Sequence, residues 1–320
     1  MVILAHSGLR ESLDEVRLQV LSAIDAKPET PSLAKDLQVL TKLRLNAFVV
    51  ITTLFGFFLA AKGGAGGMAD KWWLLLHTLI GTAASAFGSA AFNQLMEIED
   101  DAQMKRTSDR PLPSRRMSVI KAFGIGWGLA AFGVIHLAAK VNLEAAVLAA
   151  FTIAVYVFVY TPMKKWHSSN TLVGAIPGAI PPLIGWVGAG GEWIAWGGWF
   201  LFWLLFLWQL PHFVAISWLC REEYENAGYQ MWSNGDASGC KTSKLFIVFS
   251  VCLILLVILG AATGLFPWWF AVAHTALVIY LMAPILNYGA SGERAPMRKA
   301  FLGTLLYLPL ALVGLAFTWT

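Results

Sequence analysis

The sequence predicts an all-α polytopic membrane protein, a single bundle of about nine transmembrane helices. Two observations carry that prediction. Hydrophobic residues make up 58% of the 320 positions and charged residues 13%, the latter about half the roughly 25% usual in soluble domains. The apolar residues are also grouped into nine stretches with few charges, each about long enough to cross roughly 30 Å of hydrocarbon. A soluble fold has no interior large enough to hide 15 Trp and 20 Phe at a mean hydropathy of +0.64. Disordered, collagen-like and disulfide-scaffold classes are excluded by the same composition.

Residues 1–44 are too polar to span and read as a cytoplasmic N-terminal arm, with residues 45–320 as the transmembrane domain. In the arm Leu9, Leu13, Val16, Val20 and Ile24 recur at helical spacing, and Thr30-Pro31 reads as an N-cap followed by Pro at the first helical position. It has neither a long apolar run nor a small-residue cleavage site, so no signal peptide is expected. The spans follow at 45–61, 72–96, 119–139, 143–160, 171–189, 193–219, 245–263, 267–288 and 300–319. The fifth carries Gly174, Pro177, Gly178, Pro181 and Pro182, a composition that bends a helix and admits close neighbours. The sixth contains Pro211, which is expected to kink it beside His212.

Charge sets the orientation. With the spans alternating sides, only Lys62, Lys71 and Lys140 of the 23 Lys and Arg fall on the side opposite the N-terminus. The positive-inside rule therefore places the N-terminus and the even-numbered loops in the cytoplasm and the C-terminus across the membrane, in a bacterial cytoplasmic membrane or its equivalent. The net charge of +4 is thereby a matter of topology, and no nucleic-acid partner is implied. Cys220, Cys240 and Cys252 have no paired or metal-type spacing and read as reduced. His6, His77, His136, His167 and His274 form no pair at metal-ligand spacing and read as structural.

Seven carboxylates fall in two clusters after long spans: Glu97, Glu99, Asp100 and Asp101, then Glu222, Glu223 and Glu225. Such groups repel one another unless a cation lies among them. Oxygen-only donors suit Mg²⁺, which commonly bridges carboxylates to substrate phosphates. If the second span continues as a helix, Asn93, Glu97 and Asp101 rotate by only about 40° between successive members and share one face. Lys105, Arg106 and Arg110 follow, so metal-holding carboxylates beside bidentate cations read as a diphosphate cradle, with an ordinary charged loop as the alternative. From His212 to Glu223 is about three helical turns, which makes a polar stripe into one cavity a second expectation. Tyr160, Lys164, Lys165 and Asn170 form a third constellation ahead of the Gly/Pro-rich span.

These motifs together resemble the intramembrane aromatic prenyltransferase (UbiA-type) superfamily and, within it, the haem-modifying subgroup. Asn93, Glu97 and Asp101 stand at the positions of its Asn-x-x-x-Asp-x-x-x-Asp hallmark. The subgroup's marks are matched by Met104 to Thr107 with Arg110 to Pro113, by Tyr160 through Trp186, and by Trp208 to Phe213 followed by Glu223-Tyr224. The resemblance runs from about residue 41 to the C-terminus. Glu97 and Glu223 stand where Asp is usual, and their extra methylene shifts a bound metal by about 1 Å. Lys165 replaces an Arg, and Thr41-Lys42-Leu43 replaces Thr-Lys-Pro.

The resemblance implies farnesyl transfer from farnesyl diphosphate to the 2-vinyl group of protohaem IX, giving haem O, with haem as substrate. It implies Mg²⁺ held by Asn93, Glu97, Asp101 and Glu223, and diphosphate held by Lys105, Arg106, Arg110, Lys164 and Lys165. Trp208, Gln209, His212 and Tyr224 are the haem-side candidates, His212 for contact with haem or for proton transfer. Membrane lipid surrounds the chain, and a downstream haem A synthase or oxidase is the implied recipient. The rival readings are a sibling enzyme acting on 4-hydroxybenzoate or a chlorophyll-type ring, a cation transporter and, more weakly, an oxidase assembly protein. Against transport, both acidic clusters lie at helix ends, whereas transport sites usually sit near the midplane.

Overall fold

Lipid offers a backbone no water to bond, so each apolar stretch satisfies its own N–H and C=O groups by coiling into a helix. The computed structural model describes residues 31–62, 68, 70–286, 288 and 292–320, and it divides into two units, Met1–Leu37 and Gln38–Thr320. The helical spacing read over residues 9–24, the Thr30 cap and His6 lie outside the described residues. Among the described residues every regular element is helical, and nine helices are long and apolar enough to cross a membrane.

A short helix, α1 (Leu33–Leu40), precedes the first span, α2 (Leu43–Lys62). Then come α3 (Trp72–Met96), a six-residue α4 (Ile98–Gln103), and α5 (Val119–Lys140). The span α6 (Leu143–Met163) contains a π-helical segment, Val155–Tyr160. After it run α7 (Asn170–Gly188), α8 (Trp196–Leu219), a six-residue α9 (Arg221–Asn226), α10 (Cys240–Ala262), α11 (Trp268–Leu286) and α12 (Arg294–Thr318). The Pro residues do not interrupt α7 or α8. Both helices continue through them, and the Gly/Pro-rich α7 is the most deeply enclosed span.

Two helices start earlier than their apolar content suggests. The first turn of α10 is polar but capped, because Asp236 Oδ2 accepts from both Thr242 N–H and Thr242 Oγ1, each at 2.8 Å. α12 begins at Arg294, so its first turn, with Arg298 and Lys299 following, precedes the apolar core.

Packing follows the small residues. α3 lies along α5, and α2 along α7. A Cβ on Gly88 would fall 2.6 Å from Ala130 N, and one on Gly56 would fall 1.9 Å from Pro182 O. Main chains therefore touch where any larger residue would force the helices apart. α8 runs through the core against α7, α10 and α12, burying Phe200, Leu201, Leu204, Leu205 and Trp218. The outward side chains are apolar, as in Ile120, Phe123, Ile135 and Phe317, a surface suited to lipid. His77 and His136, read as unpaired, meet across α3 and α5, with Nδ1 and Nε2 3.0 Å apart.

Candidate active site

The site is assembled where the start of α2 and the ends of α3 and α6 meet. α3 pauses at Glu97 (φ −106°, ψ 15°), but its hydrogen-bond ladder crosses the pause. Glu97 N–H donates to Asn93 O at 3.1 Å and Asp101 N–H to Glu97 O at 2.8 Å. Asn93, Glu97 and Asp101 thus keep their four-residue spacing, and all three are buried.

Each rung has a partner from another element. Lys42 Nζ donates to Asn93 Oδ1 at 2.5 Å and to the Tyr156 hydroxyl at 3.3 Å. Asn93 Nδ2 donates to Thr161 Oγ1 at 3.0 Å. Lys164 pairs with Glu97 at 2.5 Å, Arg110 with Asp101 at 2.5 Å, and Lys165 with Asp100 at 2.7 Å. Arg110 is presented by a loop anchored on the ladder, since Thr107 Oγ1 donates to Asp101 O at 2.9 Å. The π-helical turn of α6 sets Tyr156 and Tyr160 as a stacked pair 5.5 Å apart, and Lys164 lies over the Tyr160 ring at 4.7 Å. Such insertions frequently mark functional positions in helices.

Crowding of charge at low solvent exposure shifts these groups. Burial, reinforced by Lys164 and Arg110, lowers Lys42 from 10.5 to about 7 against the opposing pull of Glu97 and Asp101. Burial also opposes ionisation of Glu97, but Lys164 and Lys42 outweigh it and hold its pKa below the ordinary value. At Asp101 burial wins over Arg110 and the pKa is raised. Lys164, despite burial, is held well above its ordinary value by Glu97 and the neighbouring tyrosines.

Beside the ladder lies a cavity of about 520 Å³, within the usual range for small-molecule sites. Lys42, Asn46, Tyr156 and Tyr160 line it at the charged end. Gly174, Gly178 and Ile184 of α7, Trp208, Gln209 and His212 of α8, and Leu305 and Leu308 of α12 form much of the rest. His212 is held from three sides. Its ring stacks between Trp208 (5.7 Å) and Phe301 (4.7 Å), and its Nδ1 lies 2.9 Å from Thr304 Oγ1. Trp208 Nε1 donates to Thr304 O at 2.7 Å, and Gln209 Nε2 to Leu205 O at 3.0 Å. Gly174 and Gly178 make room for Tyr160 and Gln209, so the small residues of α7 admit neighbouring side chains as well as bordering the cavity.

The sequence-derived residues are therefore divided. Asn93, Glu97, Asp101, Arg110, Lys164 and Lys165 form one network, and Trp208, Gln209 and His212 line the cavity. Tyr224 is elsewhere: its hydroxyl accepts from Arg106 at 3.0 Å, and the guanidinium lies over its ring at 5.0 Å. Lys105 is exposed on its loop. Between His212 and Glu223 the chain pauses at Cys220 (φ −108°, ψ 17°), where α8 gives way to α9, but hydrogen bonds cross this pause as they do at Glu97, with Cys220 N–H donating to Ile216 O at 3.0 Å and Tyr224 N–H to Cys220 O at 3.2 Å. Of the two residues of the expected stripe, His212 lines the cavity and Glu223 does not. Sequence reasoning passed over Lys42 and Tyr156 as site residues, and took Asp100 no further than membership of the first acidic cluster. The signal for Lys42 was its place in Thr41-Lys42-Leu43, yet it reads there as an orientation marker.

Among the described residues no three of His, Cys, Asp or Glu converge as a closed metal cage. Mg²⁺ seldom needs one, being held by one or two carboxylates with substrate phosphates and water. The donors present fit it: all are oxygens, and Glu223 Oε2 is buried without a hydrogen-bond partner.

Comparison with known proteins identifies the family. The UbiA prenyltransferase family matches residues 49–319. The protoheme IX farnesyltransferase of Solibacter usitatus is 36% identical over 285 residues, 86% of this chain and 96% of that protein. The mitochondrial protoheme IX farnesyltransferase of Arabidopsis thaliana is 38% identical over 276 residues, 86% of this chain, which spans only 63% of that longer protein. Among solved structures, a digeranylgeranylglyceryl phosphate synthase aligns with a TM-score of 0.72 at 16% identity, over 89% of this chain and 98% of its own. A UbiA homolog from Archaeoglobus fulgidus bound to GPP and Mg²⁺ aligns with a TM-score of 0.60 at 16% identity, over 88% and 99%. With that extent of match and the hallmark ladder in place, the chain belongs to the UbiA prenyltransferase family.

Proposed function

We propose that this chain transfers the farnesyl group of farnesyl diphosphate to a vinyl group of protohaem IX, giving haem O, with Mg²⁺ at the diphosphate. One observation carries the reading. The Asn93–Glu97–Asp101 ladder and its cations open through Lys42 onto an apolar cavity, in a chain similar over most of its length to relatives named for this reaction.

The side chains support each requirement of such a transfer. Ionising the allylic C1–O bond sends its electron pair to the diphosphate. Arg110, Lys164 and Lys42 at the ladder receive that charge, with Lys165, Arg106 and Lys105 as the further cations proposed for the diphosphate. Asn93, Glu97, Asp101 and Glu223 would hold Mg²⁺, which would supply Lewis-acid neutralisation of the leaving oxygens. The farnesyl tail lies in the apolar cavity, where burial is worth about 0.8 kcal/mol per CH₂. The vinyl π pair then forms the new C–C bond to C1. The cation left on the carbon next to the porphyrin takes up water and loses a proton, giving the alcohol. Trp208, Gln209 and His212 form the wall proposed to face haem, and Tyr224 acts through Arg106. Exclusion of bulk water by the enclosing helices limits loss of the allylic cation to farnesol.

The charge asymmetry supports a cytoplasmic ladder and N-terminus with the C-terminus opposite. An arm over residues 1–44 ahead of a catalytic domain 45–320, and a downstream haem A synthase or oxidase as recipient, complete the proposal. The test is direct. Purified protein is incubated with haem B, farnesyl diphosphate and Mg²⁺, and the pigments are separated by chromatography; haem O is expected. Absence of haem O together with prenylation of 4-hydroxybenzoate would transfer the chain to the sibling class. Absence of any prenyl product, with cation flux in liposomes, would favour the transport reading.

A further inference from the structure

Four helices give the same depth for the cavity. From the level of the ladder to the deepest lining residue, Thr52 lies ten residues beyond Lys42, which immediately precedes α2, and Thr82 lies eleven residues along α3 from Asn93 of the ladder. α6 runs from Tyr160 to Ala149, and α7 from Gly174 to Ile184. Ten or eleven residues at a rise of 1.5 Å correspond to about 15–16 Å, slightly less along α6 because of its π-helical turn.

The bottom is closed by main chain. Beside Ile184, a Cβ on Gly185 would lie 1.9 Å from Thr53 O; one turn beyond Thr52, a Cβ on Gly56 would lie 1.9 Å from Pro182 O. α2 and α7 meet there backbone to backbone, so no side chain can swing aside to admit a longer ligand. The residues above this crossing are themselves buried, at 1% exposure for Ala149 and 2% for Ile184. A prenyl chain projects about 1.25 Å per C–C bond of about 1.5 Å, so the twelve-carbon main chain of farnesyl extends about 14 Å, that of geranyl about 9 Å and that of geranylgeranyl about 19 Å. Only the middle one both fills the cavity and fits it.

We infer that Thr52, Thr82, Ala149 and Ile184, sealed by the α2–α7 crossing, form a floor that measures the prenyl tail and selects a fifteen-carbon diphosphate over ten- and twenty-carbon ones. The inference rests on the reading of the cavity as the prenyl-tail site. The competing path for a longer tail is sideways, past Leu45, Phe48 and Leu305, which line the cavity and are also exposed on its lipid side.

The full-length protein would be given geranyl, farnesyl and geranylgeranyl diphosphates with haem B and Mg²⁺, and kcat/KM compared. Binding of the three matching thiodiphosphates would be measured separately, without haem, by thermal shift. Wild type is expected to favour farnesyl over geranylgeranyl by about 100-fold, since even one misfit methylene discriminates by about tenfold or more. Ala149→Phe raises the floor and should move the preference to geranyl; Thr82→Leu is a second, milder way of raising it should the first variant not fold. Equal use of farnesyl and geranylgeranyl by wild type, or an unchanged order of preference in folded floor variants, would overturn the ruler and leave the tail site standing. Failure of all three thiodiphosphates to bind would overturn both.

Discussion

Lys42 stands where the charged ladder meets the apolar cavity, and its lowered pKa makes a quantitative prediction about substrate binding. Burial comes first, then the nearness of Lys164 and Arg110, bringing it to about 7 while Glu97 and Asp101 pull the other way. Diphosphate favours the protonated amine, so the free protein must take up a proton wherever Lys42 is neutral. The sign follows: affinity is greatest below about pH 7 and weakens as pH rises through that value. With a weakening factor of 1 + 10^(pH − 7), moving from pH 7 to pH 9 costs about 50-fold, or about 2.3 kcal/mol, provided the bound-state pKa lies above that range.

Lys42→Met keeps much of the length of the side chain and removes the titration. The assay is the Kd for farnesyl thiodiphosphate with Mg²⁺ between pH 6 and pH 9, by calorimetry in two buffers of different ionisation enthalpy. The difference between wild type and Lys42→Met isolates Lys42 from titration of the ligand and of the ladder carboxylates. Wild type should lose up to about 50-fold more affinity than the variant over pH 7–9 and take up the corresponding protons. Parallel profiles would refute the argument, since either Lys42 would not titrate in this window or it would not meet the diphosphate.

Asp101→Ala leaves Arg110 without its carboxylate at a position only 1% exposed; turnover should fall by about 100-fold or more, on the scale of a lost electrostatic contact in catalysis, and full turnover would remove Asp101 from the site. Gly185→Ala sets a methyl 1.9 Å from Thr53 O; overpacking on this scale costs about 1–3 kcal/mol or more, read as a lower Tm in detergent. Without ligand, Lys42 binds its proton less tightly folded than unfolded, so the unfolded chain holds more protons between about pH 7 and 10.5 and stability should rise with pH across that window. Thermal scans of wild type should show this rise and scans of Lys42→Met should show less of it.

What the sequence made legible was what is local. Nine apolar runs had to be helices because lipid leaves no alternative, and the Asn93–Glu97–Asp101 face followed from four-residue spacing, surviving even the pause at Glu97. What escaped depends on residues far apart in the chain. Lys42 becomes a site residue only through Asn93, 51 positions away, and Tyr156, 114 away. His77 meets His136 across 59 positions. Of the expected His212–Glu223 stripe, the helical hydrogen bonds cross the pause at Cys220, but only His212 lines the cavity, a matter of tertiary packing that spacing does not encode.

The largest difference concerns how the charges are held without substrate. Sequence reasoning set the cations aside for diphosphate and the carboxylates for metal, yet the structure pairs them with each other: Lys164 with Glu97, Arg110 with Asp101, Lys165 with Asp100. For the enclosed pairs Lys164–Glu97 and Arg110–Asp101, removing one partner is costly, about 3–5 kcal/mol, because the other charge is left uncompensated. Diphosphate arriving alone would draw the lysines and arginine away and strand the carboxylates; Mg²⁺ arriving alone would do the reverse. Arriving together, they exchange every pair for two compensated sets. Metal and diphosphate should therefore bind with positive coupling, about tenfold or more, as one ligand removes the penalty the other would incur. The Kd of farnesyl thiodiphosphate, measured with Mg²⁺ and then with EDTA, gives that factor directly. Equal affinities would mean that the ion pairs stay intact on binding and that the ladder is structural.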